Sequence, residues 1–350
     1  MRSRIRLLAA LLLLALAGPH ALAAEAKPYK PDPGPHKVTV QPYDWHDAKR
    51  DRDVPAKIYY PSEGQGHWPV VIVSHGLGGS RDGLVYLGRH WASHGYVSVH
   101  IQHLGSDTAV WKGKKDWLAA MRGAVADVRN AIVRPGDVRF AIDEVTRMHE
   151  GDGPLAGRLD LERVGMAGHS FGAWTTLAVA GQLAAGRRPL FRDGRVKAAI
   201  PLSPSPAPPH QRHKAYGQIR IPLLHMTGTL DTSPVRDTKA IERRIPFDRI
   251  MLAEQYLITF KGGDHMVFSG TRWQPAPNDK DPVFHSLILQ STTAFLDAYL
   301  RGDEAARRWL AEGGFEAVLG EDGVFEQKHP KTAPTPPPAE RVQPGRSLSE

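Results

Sequence analysis

The sequence predicts an α/β fold, a mostly parallel twisted sheet with helices on both faces. Three observations point to it. Short apolar runs rich in β-branched residues alternate along the chain with longer stretches of helical periodicity, the pattern of βαβ crossovers. The runs are apolar almost throughout, as strands covered on both faces are. A chain of 350 residues that is 41% apolar can also bury one large core.

The elements follow in order. The start, MRSRIRLLAALLLLALAGPHALAAEA, has Arg2, Arg4 and Arg6, an apolar run over 7–17, and Ala21-Leu22-Ala23 as a small-residue cleavage pattern. Residues 1–24 are therefore expected to be a secretory signal, since the apolar run is too short to span a bilayer of about 20 helical residues. No cysteine follows it, so lipid attachment is unsupported. Residues 25–36, with KPYKPDPGPH, read as a proline-rich linker. The folded domain is expected over 37–327. KVTVQPYDW and AKIYY form an antiparallel start, and VVIVS, YVSVHIQ, RVGMAG, VKAAIPL, PLLHMTG and QYLITF read as buried strands. Helical patterns cover 81–93, 116–149, 171–184, 235–243 and 283–300. The stretch 105–158 exceeds one plain crossover and has room for a small cap over the sheet edge. From 328 to 350 the chain is proline-rich without apolar periodicity, an extended or disordered tail.

Composition excludes several chemistries. With no cysteine there is no disulfide, metal thiolate or cysteine nucleophile. The net charge of +8 is dispersed instead of gathered into a stripe, which argues against a nucleic-acid partner, although a mildly basic exported protein suits peripheral association with an anionic envelope. His90 and His94 have helical i, i+4 spacing, but HWASH lacks the glutamate of HExxH, so no metal site is expected.

The candidate chemistry centres on GHSFG, residues 168–172, which follows the strand RVGMA and opens the helix FGAWTTLAVA. In that context a serine between glycines suits a nucleophile on a tight strand-to-helix turn, where bulk at Gly168 or Gly172 would clash with crossing backbone. Read alone, Ser170 could also be an N-cap. A serine nucleophile needs a base and an orienting acid on later strand ends. Asp231 follows PLLHMTG in the turn TLDTSP, and His265 follows QYLITF in KGGDH. Asp264 and Asp237 are the alternative acids, the first adjacent to the histidine and the second inside a helical pattern. HGLGG, at 75–79, leaves the strand VVIVS and can aim the Leu77 amide at an oxyanion, with Phe171 as second donor. Trp111 and Phe268 are expected to line a substrate pocket with His75. Trp117 and Trp174 are further aromatic candidates, and Gly105-Ser106-Asp107 falls at the active-site edge.

With these residues the chain resembles the α/β-hydrolase superfamily over roughly 37–312. VIVSHGLGGSRDGLVYLGRHWASHGYVSVHIQH and GHSFG are similar to platelet-activating-factor acetylhydrolase and dienelactone-hydrolase-like esterases. The resemblance implies a serine esterase needing no cofactor, with Ser170 as nucleophile, His265 as base, and Leu77 and Phe171 as oxyanion donors. Plasma-type acetylhydrolases carry the acid just after the strand that follows the nucleophile helix, but here that place reads PLSPSPAPP, with no acidic residue. The acid therefore moves one strand on, to Asp231, as in bacterial polyester-hydrolase patterns. Dienelactone hydrolases use a cysteine that this chain lacks. The expected function is cleavage of small-molecule, lipid or polyester esters by an exported serine hydrolase. A peptidase or amidase on the same fold and a non-catalytic envelope binding protein are the other readings.

Overall fold

Strand pairing in the computed structural model runs β1-β2-β4-β3-β5-β6-β7-β8-β9 across one sheet, and residues 28–330 are described apart from 65, 185–187, 234, 271 and 273–277. The expected signal segment and nearly all of the expected tail lie outside the described residues. The strands are β1 (Val38–Asp47), β2 (Arg52–Pro61), β3 (Trp68–Ser74), β4 (Val97–Ile101), β5 (Leu159–His169), β6 (Val196–Leu202), β7 (Leu223–Leu230), β8 (Gln255–Asp264) and β9 (Gly323–Lys328). The helices are α1 (Val85–Ser93), α2 (Trp117–Ala126), α3 (Val128–Glu150), α4 (Phe171–Ala180), α5 (Ile245–Arg249), α6 (Asp281–Leu296), α7 (Glu304–Ala311) and α8 (Gly314–Leu319). β3 to β8 pair in parallel, while β1, β2 and β9 are antiparallel to their neighbours.

The period-2 alternation of strands sorts β3 between two cores. Val71 and Val73 face α1 and α6 with Leu87, Trp91 and Phe284, whereas Val70 and Ile72 face α3 with Val138, Ile142 and Val145. Both faces are thus covered, and the apolar character of WPVVIVS follows from it.

Four expectations change. The helical pattern 116–149 is two helices, because Asp127 starts a second one: its carboxylate accepts from the Arg129 amide at 2.9 Å, as Asp116 does from Ala119 at the start of α2. The pattern 235–243 is a turn followed by a 3-10 segment, Ala240–Arg244, leading into α5. The proline-rich stretch before β1 is strapped onto the domain where it is described. Tyr29 packs on Trp309 at 5.0 Å and donates to Asp297 at 2.8 Å, and the Gly34 amide donates to Ser93 Oγ at 2.8 Å. Last, GVFEQK adds β9 beside β8, running through Lys328, one residue past the expected domain end, with Phe325 stacked on Tyr256 at 5.7 Å.

The sheet order explains where a site can form. β5, β7 and β8 point their C-terminal ends to the same edge, and the register pairs Leu230 with Asp264. The residues that follow these strands therefore meet above that edge, as ligands do in parallel α/β sheets.

Candidate active site

Ser170 joins β5 to α4 with φ +57° and ψ −112°, a conformation that a non-glycine residue rarely adopts. The glycines on either side make that turn feasible. A Cβ at Gly172 would lie 1.9 Å from the Ser74 carbonyl oxygen, and one at Gly168 would lie 2.5 Å from the Gly172 carbonyl carbon. The Ser170 amide is held by the Leu202 carbonyl at 2.9 Å, so the elbow is pinned to β6 as well.

The three strand ends bring their side chains into one line. His265 Nε2 lies 2.9 Å from Ser170 Oγ, and His265 Nδ1 lies 2.8 Å from Asp231 Oδ1. With its Nδ1–H given to the carboxylate, the imidazole leaves Nε2 to accept the serine proton. Asp231 is fully buried, while the His265 side chain keeps 15% exposure toward the cavity. Burial alone would raise the Asp231 carboxyl, but the hydrogen bond and charge of His265, then the Arg243 guanidinium, outweigh it and hold the group at about 2. Asp264 turns away to Arg272 at 2.8 Å, and Asp237 is exposed in a turn outside any helix.

Four further residues brace this line. Ser203, at the end of β6 with φ +56°, donates to Asp231 Oδ1 at 2.9 Å and lies 2.8 Å from His265 Nδ1. It occupies the place where a plasma-type acetylhydrolase pattern would put the acid, and there it bonds to Asp231 instead. Thr227 donates to Asp231 Oδ2 at 2.9 Å. Arg243, also fully buried, sits 3.2 Å from Asp231 Oδ1 and donates to the carbonyls of Asp231 and Ser203. His169, the second residue of GHSFG, donates from Nε2 to the His265 carbonyl at 2.9 Å, and burial followed by the neighbouring His265 lowers it to about 3, so it stays neutral. Of these, His169 lies inside the GHSFG motif and Ser203 just past a strand end, whereas Thr227 lies within β7 and Arg243 in the 3-10 segment Ala240–Arg244, where no local pattern marks them.

The loop 75–79 lies over the same edge. Gly78 has φ +74°, its amide donates to the Ser106 carbonyl at 2.9 Å, and its carbonyl accepts from Trp111 Nε1 at 2.8 Å. Leu77 lies between these anchors and lines the cavity with Ser170 and Phe171. The Phe171 amide is the first of α4, where no carbonyl one turn back can claim it. The cavity, about 1120 Å³, has an apolar wall that includes Leu77, Trp111, Trp117, Met121 and Trp174, with Leu230 at its lip.

Of the other two expected pocket residues, Phe268 departs from the expectation and His75 meets it. Phe268 is fully buried between Phe260 and His169 in the core and does not line the cavity, because the short 3-10 turn Val267–Ser269 points its ring inward. His75 borders the cavity but is 2% exposed. Its Nδ1 donates to the Gly76 carbonyl at 2.6 Å and its Nε2 accepts from the His103 amide at 3.0 Å, so the ring is the spine of the loop.

A family described as PET hydrolase-like matches residues 24–276, a span that contains Ser170, Asp231 and His265. The chain belongs to that family. It is 25% identical over 305 residues to platelet-activating factor acetylhydrolase of Cavia porcellus, covering 77% of this chain and 66% of that one. It is 26% identical over 266 residues to Cutinase 2 of Thermobifida cellulosilytica, covering 75% and 80%, and equally identical to Cutinase cut1 of Thermobifida fusca, covering 75% and 66%. The chain thus spans about two thirds of the length of two of these relatives. Its class is that of the carboxylic ester hydrolases, and its sheet and helices are those of the α/β-hydrolase fold. The elements from α6 to β9 lie beyond the family match.

Proposed function

We propose that the chain is an exported serine esterase that cleaves carboxylic esters through an acyl-enzyme, with Ser170 as nucleophile, His265 as general base and acid, and Asp231 as the orienting carboxylate. The observation that carries this reading is the continuous Ser170–His265–Asp231 line at 2.9 and 2.8 Å, set on a serine at φ +57°. His265 Nε2 takes the Ser170 proton as Oγ bonds to the ester carbonyl carbon. The oxyanion receives N–H donors from Leu77 and Phe171, in a geometry where each donor contributes about 3 kcal/mol to the transition state. The carbon–oxygen bond to the alcohol then breaks, and His265 returns the proton to the leaving alkoxide. Water repeats the sequence on the acyl group: His265 takes its proton, the acid departs, and Ser170 regains a hydrogen.

The apolar cavity and the cutinase relatives favour a hydrophobic ester or polyester over a peptide. Trp111 and Trp117 supply its aromatic wall, and no cofactor is needed for this chemistry. Export rests on the leader pattern of residues 1–24. No helix among the described residues is long and apolar enough to cross a membrane.

The test is hydrolysis of a short-chain p-nitrophenyl ester beside the matching anilide. Ser170→Ala is expected to lower ester kcat by at least about 10³-fold while binding persists. Ester turnover like that of the unaltered enzyme would overturn the nucleophile assignment, and faster anilide than ester turnover would favour the amidase reading.

A further inference from the structure

Beneath the cavity floor lies a second serine–histidine–aspartate line that the reaction does not use. Ser74 Oγ is 2.9 Å from His103 Nε2, and His103 Nδ1 is 2.9 Å from Asp137 Oδ2, all three fully buried. Ser74 is no nucleophile, since it is fully buried, does not border the cavity, and its oxygen accepts from Arg134 Nη2 at 3.0 Å. Asp137 is further held by Arg50 and Arg52 at 2.8 Å. This array therefore forms a buried, hydrogen-bonded platform with Arg134 seated on it.

We propose that Arg134 is a positioning residue for the oxyanion hole, tying the loop that carries Leu77 to the first turn of the helix that carries Phe171. The inference rests on the assignment of those two amides as oxyanion donors. Toward the loop, Arg134 Nη2 donates to the His75 carbonyl, and Nη1 donates to Ser106 Oγ at 2.8 Å. Ser106 in turn accepts the Gly78 amide on its carbonyl. Leu77 is thus gripped on both sides through one guanidinium. Toward the helix, Arg134 Nε donates to Thr175 Oγ1 at 3.0 Å, and Thr175 donates to the Phe171 carbonyl at 3.0 Å. The guanidinium carbon also lies 4.5 Å from the centre of the Phe171 ring. A planar fork can make these contacts at once, which an ammonium cannot. Two donors converging on one oxygen must keep their separation, and Arg134 is bonded toward both.

The experiment compares an oxygen ester with its thionoester, whose carbonyl sulfur accepts hydrogen bonds poorly and does not fit a hole shaped for oxygen. Active-site titration with a fluorophosphonate counts competent sites, so kcat refers to folded enzyme. In Arg134→Lys the oxygen-ester kcat is expected to fall about tenfold with KM within about twofold, and the preference for oxygen ester over thionoester to shrink by a similar factor; Arg134→Met is expected to lose more. A purely structural role would lower the site count and leave the preference unchanged, and that result would overturn the inference. If neither variant folds, Thr175→Val and Ser106→Ala each remove one arm. Each is expected to reduce the preference about threefold, and an unchanged preference in both overturns the inference. Ser170→Ala separates the premises: activity in that variant refutes the triad itself, whereas an inert Ser170→Ala with an unchanged preference in Arg134→Lys refutes only the clamp.

Discussion

Arg243→Met removes the buried cation that faces Asp231 and replaces it with an apolar side chain of comparable reach. Arg243 sits 3.2 Å from Asp231 Oδ1 and donates to the Asp231 and Ser203 carbonyls and to Ser205 Oγ, so three backbone and side-chain acceptors lose a charged donor together. Breaking a buried ion pair costs about 3–5 kcal/mol. Here the carboxylate keeps His265, Ser203 and Thr227, so the low end, about 3 kcal/mol, applies. At about 2 °C per kcal/mol for a domain of this size, Tm is expected to fall by about 6 °C. The carboxylate that orients His265 loses the bonds that fix its backbone, and kcat/KM is expected to drop about tenfold. The pH dependence follows from Asp231, held at about 2 against an ordinary 3.8. A depressed carboxyl adds stability that is complete above its unfolded value and fades as pH falls through its folded one, so about 2 kcal/mol is lost between about pH 5 and pH 2. Without Arg243 the folded value rises toward the unfolded one. The stability gap between the two proteins should then be constant above about pH 5 and narrow below it. Urea unfolding across that range, with ester kinetics at neutral pH, measures both effects. A Tm within about 2 °C of the unaltered protein and an even gap at every pH would refute the pairing argument.

Gly172→Ala should give no active enzyme, because its methyl would lie 1.9 Å from the Ser74 carbonyl oxygen, and fluorophosphonate labelling with circular dichroism checks it. Phe268→Ala should lower stability by about 3–5 kcal/mol in urea unfolding, while KM for esters changes little per folded site. A rise in KM without destabilisation would return Phe268 to the substrate wall. Trp117→Ala, at the cavity wall and 38% exposed, should raise KM for long-chain or aromatic esters and leave short-chain acetates nearly unchanged, read from a chain-length series.

Much of the frame was legible because buried parallel strands announce themselves as apolar runs and because triad residues must follow strand ends. GHSFG, TLDTSP and KGGDH each satisfy that requirement, and the three side chains meet at hydrogen-bond distance. What escaped has physical reasons. β9 is a short edge strand of mixed polarity, so neither period nor composition marks it as a strand within the expected domain. The break at Asp127 depends on one capping aspartate inside a helical pattern, and the docking of residues 28–36 depends on long-range contacts that no local window contains. Phe268 reads as a pocket residue because it sits in a loop near a strand end, but side-chain direction within a 3-10 turn decides otherwise. Ser203, Arg243 and Arg134 are buried polar residues, and burial of a single arginine leaves no periodic trace.

The central claim is the covalent route through Ser170. Rapid quenching with acid during turnover of a p-nitrophenyl ester, followed by peptide mass spectrometry, reads it directly. The expected result is one acyl group on the peptide containing Ser170, formed at the rate of the initial p-nitrophenol burst and absent in His265→Ala. Full turnover with no acyl peptide, or with the acyl group on another residue, would contradict it.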